Sequence, residues 1–380
     1  MQSIALLVDS WRLLKSRKLF WVTLGINLIV VVLYGSIGFT PKGVSILYGL
    51  TEFEAGVYAI GMPLARELYL SIFSNFIVTL WLGWIAAALA IISTTSIFPD
   101  FLGEGAIDMV LSKPISRVRV FLVKYAGSLL FVLLQVATFC VGAFLCIGFR
   151  LEEWSWGIFA AIPFVVLFFS YLYSVNVLVG VMTRSTIAAL IATAIFWLVL
   201  WLCSSARVLT QEITFIQEIQ ATEAEATVAR LDGELKELAA DGQTSENSND
   251  YERARGSLKT ATETLSGERL DVELANRWLT GIKIATSVLP KHKETIDLVD
   301  RWVGRDPQRS LTEILMGGRP SPNPDWNERR RDTFRQRTAG TERSEEVLRS
   351  QSAWWIIGSS LIFEGAMLAI AAWLFARRDF

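Results

Sequence analysis

The chain is poor in the residues that carry most enzyme chemistry. It has one histidine, His292, and three cysteines, Cys140, Cys146 and Cys203, in 380 residues. A single histidine cannot assemble a usual zinc site, and His292 lies among Lys291, Lys293 and Glu294, which reads as a surface loop. The cysteines fall in or at the ends of apolar runs. They read as small packing residues, and they leave the charged part of the chain without a disulfide framework. There is no Gly-Lys dipeptide, hence no Walker A loop to cradle nucleotide phosphates, and neither Gly-x-Ser-x-Gly nor His-Glu-x-x-His occurs. These absences argue against an enzyme acting alone. No catalytic residue, metal site or bound cofactor is expected, and no nucleic-acid partner.

Long apolar runs are what the chain has in plenty. Hydrophobic residues make up 52% of it. Lys and Arg number 36 against 37 Asp and Glu, but residues 205–352 hold 22 of the former and 26 of the latter, so most of the charge sits in one block. Crossing about 30 Å of hydrocarbon takes roughly 20 apolar residues. Six stretches qualify: 19–39, 70–97, 121–148, 157–182, 187–204 and 354–376. Spans must satisfy their backbone internally, so each is expected to be helical. The fold class is therefore an all-α polytopic membrane protein with six transmembrane helices. A large, mainly helical extracytoplasmic insertion separates the fifth from the sixth.

Orientation follows the basic residues of the short connections. One side collects Arg12, Lys15, Arg17, Lys18, Lys113, Arg117, Arg119, Lys124, Arg184, Arg377 and Arg378; the other has Lys42, Arg66 and Arg150. Both termini are expected to be cytoplasmic, with 205–352 outside. The first apolar run is longer than a signal-peptide core and lacks a small-residue cleavage site, so it reads as a retained span.

Residues 1–18 carry an apolar stripe, Ile4, Leu7, Val8, Trp11 and Leu14, with Asp9, Arg12 and Lys15 off it. This is the pattern of a helix lying in the cytoplasmic interface. The segment 40–69, rich in glycine, is apolar enough to rest on the membrane surface. Within 205–352, apolar residues recur at helical steps from Ile213 to Leu238 and again from Leu258 to Trp278, on either side of the turn-forming 241–250. The pattern predicts a coiled-coil-like helical hairpin over 211–285, each arm roughly 40 Å long. After Pro290 a short amphipathic helix is expected, then a Gly/Pro-rich loop at 317–326 and a charged helix leading to Trp354-Trp355. The Trp pair suits a membrane interface.

Between the second and third spans lies Glu104-Gly105-Ala106-Ile107-Asp108-Met109-Val110-Leu111-Ser112-Lys113-Pro114-Ile115-Ser116-Arg117. Ile107, Val110 and Leu111 supply an apolar side, and Glu104 and Asp108, four apart, a charged one. Lys113-Pro114 ends the helix, because a residue before proline avoids the helical region. This stretch, with Lys124 and the C-terminal Phe375-Ala376-Arg377-Arg378-Asp379-Phe380, resembles the signature of ABC-2-type transporter permeases. The resemblance covers the membrane portion, and its Ser-Lys-Pro-Ile-Ser-Arg element is the most specific part. It implies that the loop 98–119 contains a coupling helix seated on a separate ATP-binding subunit. Glu104, Asp108, Lys113, Pro114 and Arg117 would then transmit the motion. It also implies a second permease chain, forming a homodimer or heterodimer, and ATP and Mg held by the partner ATPase rather than by this chain. A compact permease without a fused ATPase points to a prokaryotic plasma membrane. The insertion before the last span departs from the basic pattern of that family and raises the prospect of an extracytoplasmic protein partner.

Glu364 stands alone near the middle of the last span. An ionisable group there costs about 2.5–3.5 kcal/mol on insertion scales, so it should face the bundle interior, water or a partner side chain. Asn27, Asn75, Gln135 and Asn176 are the polar candidates on other spans. Two readings of Glu364 stay open: a pathway or gating residue, or a structural interhelical hydrogen bond. At the level of function, three remain: an ATP-driven exporter subunit, a membrane-anchored assembly or sensing subunit whose outer hairpin binds a partner, and an ion-driven carrier centred on Glu364.

Overall fold

The computed structural model describes residues 18–103, 116–240, 245–303, 339–340, 343–344, 346–347 and 350–377. The expected interfacial helix of residues 1–18, apart from Lys18, lies outside these residues. So do Glu104, Asp108, Lys113 and Pro114, the loop 317–326 and most of the charged helix that follows it.

The described residues fall into two compact units. In the first, α1 (Lys18–Gly35) leads into three short strands, β1 (Gly38–Thr40), β2 (Gly43–Ile46) and β3 (Thr51–Glu54), followed by a helical turn at Gly56–Tyr58. A continuous helix then runs over Pro63–Leu102. It begins as α2 (Pro63–Ile72), widens into a π-helix over Phe73–Ala86, and continues as α3 (Ala87–Thr94) and α4 (Ile97–Gly103). Next come α5 (Arg117–Leu151), a 3-10 turn at Trp156–Ala160, α6 (Ala161–Thr183) and the start of α7 (Thr186–Ala240). The second unit holds the rest of α7 and α8 (Ser245–Ala285). The chain returns to the first unit as α9 (His292–Asp297), α10 (Asp300–Val303) and the last helix, α11 (Ala353–Arg377).

Among the described residues, five helices are long and apolar enough to cross a membrane: Pro63–Leu102, Arg117–Leu151, Trp156–Thr183, Thr186–Ala240 and Ala353–Arg377. The first expected span corresponds to α1, whose apolar part, Phe20–Gly35, is shorter. The all-α expectation needs one correction. The segment after α1 is an antiparallel sheet of order β1-β2-β3, with Phe39 opposite Val44 and Val44 opposite Phe53. Strands of three or four residues leave too short a pattern to read from sequence. Gly43 makes the β1–β2 turn possible. Its φ is 151°, and a Cβ there would strike the Phe53 carbonyl oxygen.

Local chemistry sets the helix ends. Ser116, from the Ser-Lys-Pro-Ile-Ser-Arg element, is the N-cap of α5, its hydroxyl accepting from the Arg119 amide at 3.3 Å. Arg184 takes a left-handed conformation, φ 52°, that stops α6, and the Ser185 hydroxyl accepts from the Ala188 amide at 3.3 Å to start α7. The short connection at 183–186 is therefore a left-handed stop followed by a cap.

In the core of the first unit, α11 packs on α6 and α5, α1 packs on α5, and α5 packs on α6. Phe121, Phe131, Phe139, Phe168, Phe169 and Phe375 are all fully buried there. Arg117, Arg184 and Arg377 collect at one end of this bundle, where α4, the head of α5 and the tail of α11 meet. The sheet, the 3-10 turn before α6 and α10 collect at the other. There Arg150 donates to the Gly35 carbonyl at 2.9 Å, and Arg66 pairs with Glu153 at 2.8 Å. Among the described residues, Arg117 and Arg377 thus lie at the end opposite Arg66 and Arg150.

In the second unit, α7 and α8 lie side by side and antiparallel. Arg269 of α8 reaches Glu225 of α7 at 2.7 Å, and Val228 and Ala229 face Leu258 and Leu265. Near the start of this unit, Gln211 donates to the Ser344 carbonyl and the Arg343 guanidinium lies over the Phe215 ring.

The segment 289–303 belongs to the first unit, where α9 packs on α6 and α11. Leu298, Val299 and Val303 are buried. Two glycines make its seat. A Cβ on Gly83 of the π-helix would come 3.1 Å from Ile296 Cδ1, and one on Gly157 would fall on the Trp302 carbonyl oxygen. The amphipathic pattern after Pro290 reveals an apolar face but not its partner, and here the partner is the bundle itself. His292, expected at the surface, is only 6% exposed. Its ring centroid lies 6.2 Å from that of Phe168.

Candidate functional site

Five polar residues were singled out within the apolar runs, and each is hydrogen-bonded. Asn27 accepts from the Trp81 indole at 2.9 Å, and Asn75 donates to the Ser71 carbonyl one turn back. Gln135 of α5 donates to the Thr23 hydroxyl of α1. Asn176 donates to Thr95 at 3.1 Å and to Thr193 at 3.0 Å, joining α6 to the end of the long helix and to α7. Glu364 makes the densest connection. It is 6% exposed, and it accepts from the Tyr125 hydroxyl of α5 at 2.7 Å and from the Ser170 hydroxyl of α6 at 2.8 Å. One carboxyl group on α11 thus ties three helices together.

The surroundings of Glu364 are polar in both directions. Tyr125 stacks on Tyr173, with centroids 5.5 Å apart, and the Tyr173 hydroxyl donates to Ser128 at 2.8 Å. Tyr171 of α6 points toward Thr295 of α9 and Ser360 of α11. Ser360, one turn from Glu364, accepts the Lys291 amide at 2.9 Å. The Lys291 ammonium itself lies over the Trp355 ring, 4.4 Å from its centre. Burial pushes the His292 imidazole down to a pKa of about 4. Among the described residues no Asp, Glu, His and Cys cluster could hold a metal ion.

At the Arg117 end a second constellation forms. Phe121 packs on Phe98 of α4 and on Phe375 of α11, with centroids 5.2 and 5.8 Å away, and Phe101 stacks on Phe375 at 6.3 Å. Lys124 lies over Phe101, and Arg117 Nη1 donates to the Ala376 carbonyl at 3.2 Å. A cation on the free carbonyls of a helix C-terminus is favourable. Arg117, Phe121 and Tyr125 are four residues apart, so they share one face of α5. That face follows α11 from Ala376 through Phe375 to Glu364.

Of the expected site residues, the structure therefore places Arg117 and Glu364 on one shared helix–helix contact. Glu104, Asp108, Lys113 and Pro114 lie outside the described residues. Sequence reasoning missed Tyr125, Ser170, Tyr171, Ser360 and Thr295. The signal for two of these was the run Ser170-Tyr171-Leu172-Tyr173-Ser174-Val175-Asn176, unusually rich in hydroxyls for an apolar helix. Buried hydroxyls without a partner would be costly in such a setting.

No protein-family model, no curated protein and no solved structure matches this chain.

Proposed function

We propose that the chain is the permease subunit of an ATP-binding-cassette exporter of the ABC-2 type. Six helices, α1 included, span a prokaryotic plasma membrane with both termini in the cytoplasm. The chain pairs with a second permease chain, and the loop 98–119 engages a separate ATPase subunit that binds ATP and Mg. One observation carries the reading beyond the motif. The head of α5, where the Ser-Lys-Pro-Ile-Ser-Arg element ends, is bonded to the tail of α11 through Arg117 and packed on it through Phe121. A push on that loop would reach the last helix directly, and a partner-driven permease needs such a path.

The test is affinity capture of the full chain in mild detergent, wild type against a Lys113→Glu/Arg117→Glu double variant. An ATP-hydrolysing protein should co-purify with the wild type and be lost from the variant. Its absence from the wild type, or its undiminished capture by the variant, would overturn the reading.

A second reading, an assembly or sensing subunit that binds an extracytoplasmic protein, rests on α8. Leu270, Leu274 and Trp278, at four-residue steps, are exposed, Trp278 by 71%. An exposed apolar stripe of this kind suits a partner helix. Deleting residues 211–285 separates the readings: transport is partly retained under the first, and the cellular function is lost outright under the second.

A further inference from the structure

The hydroxyls around Glu364 can serve that carboxyl in either protonation state. Each has one proton and two acceptors within reach. Tyr125 can donate to Glu364 at 2.7 Å or to the Ser170 carbonyl at 3.2 Å. Ser170 can donate to Glu364 at 2.8 Å or to the Leu167 carbonyl at 2.8 Å. When Glu364 is charged, both hydroxyls donate to it. When it is protonated, Tyr125 still donates to one oxygen. The other oxygen then donates to Ser170 Oγ, and Ser170 turns its own proton to the Leu167 carbonyl. The neutral state forms a continuous relay from Tyr125 through Glu364 and Ser170 to Leu167, one bond more than the charged state. Neither state leaves Glu364, Tyr125 or Ser170 without a hydrogen bond.

The groups that face this carboxyl carry no compensating positive charge. From α5 comes Tyr125; from α6 come Ser170, Tyr171 and, behind Tyr125, Tyr173. The α9 segment presents Thr295 on this side, while Lys291 sits on Trp355 and His292 on Phe168. Glu364 forms no ion pair among the described residues. A buried carboxylate without a counter-charge is costly in an apolar bundle, and two hydroxyls are too few ligands for a metal cation.

We propose that Glu364 is a proton-binding site. It takes up one proton when α5, α6 and α11 close around it and releases the proton when they part and water enters. The inference does not depend on the exporter reading: it concerns the bundle alone and survives the loss of any ATPase partner. For a transporter it would make the helix rearrangement proton-linked, since the closed arrangement holds the neutral carboxyl and an open one the charged form.

The experiment is infrared difference spectroscopy of the full chain in lipid nanodiscs, titrated from about pH 4 to 10. The wild type should show a protonated-carboxyl C=O band that disappears with rising pH. Glu364→Gln, whose amide can both accept from Tyr125 and donate to Ser170, should fold and lack that band. Ser170→Ala removes the acceptor of the neutral acid and should shift the band without abolishing it. Absence of a protonated band would overturn the proposal, as would its persistence in Glu364→Gln. A band that stays constant across the whole titration would overturn it too, leaving a fixed structural hydrogen bond.

Discussion

Phe121→Ala is expected to destabilise the chain by about 3 kcal/mol, the low end of the range for deleting a buried aromatic ring. Phe121 is fully buried and lies between Phe98 and Phe375. Its alanine variant would leave a cavity of about 100 Å³, which at about 24 cal/mol per Å³ is roughly 2.4 kcal/mol. The transfer part of the loss is small, because helices that separate in lipid still meet an apolar medium. What disappears is contact between atoms already in place. The measurement is unfolding in mixed micelles with a denaturing detergent, wild type against Phe121→Ala and Phe121→Leu. Leucine keeps most of the contacts and should recover most of the stability. A Phe121→Ala value within about 0.5 kcal/mol of wild type, the range of an ordinary surface change, would show that the aromatic node does not hold α4, α5 and α11 together. The functional consequence goes further. Phe121 stands midway between Arg117 and Tyr125 on one helix face, so loosening it should uncouple the loop before α5 from Glu364 even where the fold survives.

How far the sequence discloses all this depends on the range of each signal. Runs of some 20 apolar residues are a strong local pattern, and five of the six expected runs coincide with helices of spanning length. The runs 157–182 and 354–376 end within one residue of the helices Trp156–Thr183 and Ala353–Arg377, and local chemistry stops α6 at Arg184 and starts α7 at Ser185. Glu364 was legible because a lone charge in an apolar run must be explained. Its partners were not: a tyrosine and a serine on two other helices give no sign of which carboxyl they will meet. The sheet at 38–54 was missed because its strands are too short for a period-two pattern. His292 was misplaced for an instructive reason. Charged neighbours in sequence suggest a surface, but Lys293 and Glu294 are among the more exposed residues of a short helix that carries His292, Thr295 and Ile296 into the bundle. Burial was decided by glycines far away in sequence, Gly83 and Gly157, which leave room for that helix to dock.

Acidification is expected to release the segment 289–303, and His292 fixes the direction. Burial lowers its pKa from 6.5 to about 4. Above about pH 6.5 the imidazole is neutral whether the segment is docked or free, so it adds no pH dependence. Between about 6.5 and 4 the free segment binds a proton that the docked one does not, so docking weakens as pH falls. Below about 4 both states are protonated and the loss is complete. A difference of about 2.5 between the two pKa values amounts to about 3 kcal/mol at 1.36 kcal/mol for each. Glu294 favours the charged ring and Lys293 opposes it, but both effects are smaller than that of burial. Only this segment has to leave for the imidazole to reach water, so the effect should appear first as a local opening. Hydrogen exchange, corrected for its intrinsic pH dependence, should show 289–303 losing protection between about pH 6.5 and 4 while the middles of α5 and α6 stay protected. His292→Phe keeps an aromatic side chain against Phe168 and cannot bind a proton, so its protection should be level over the same range. An equal acid-induced loss in His292→Phe would assign the sensitivity to another group, and the buried imidazole would then have no part in holding the segment in place.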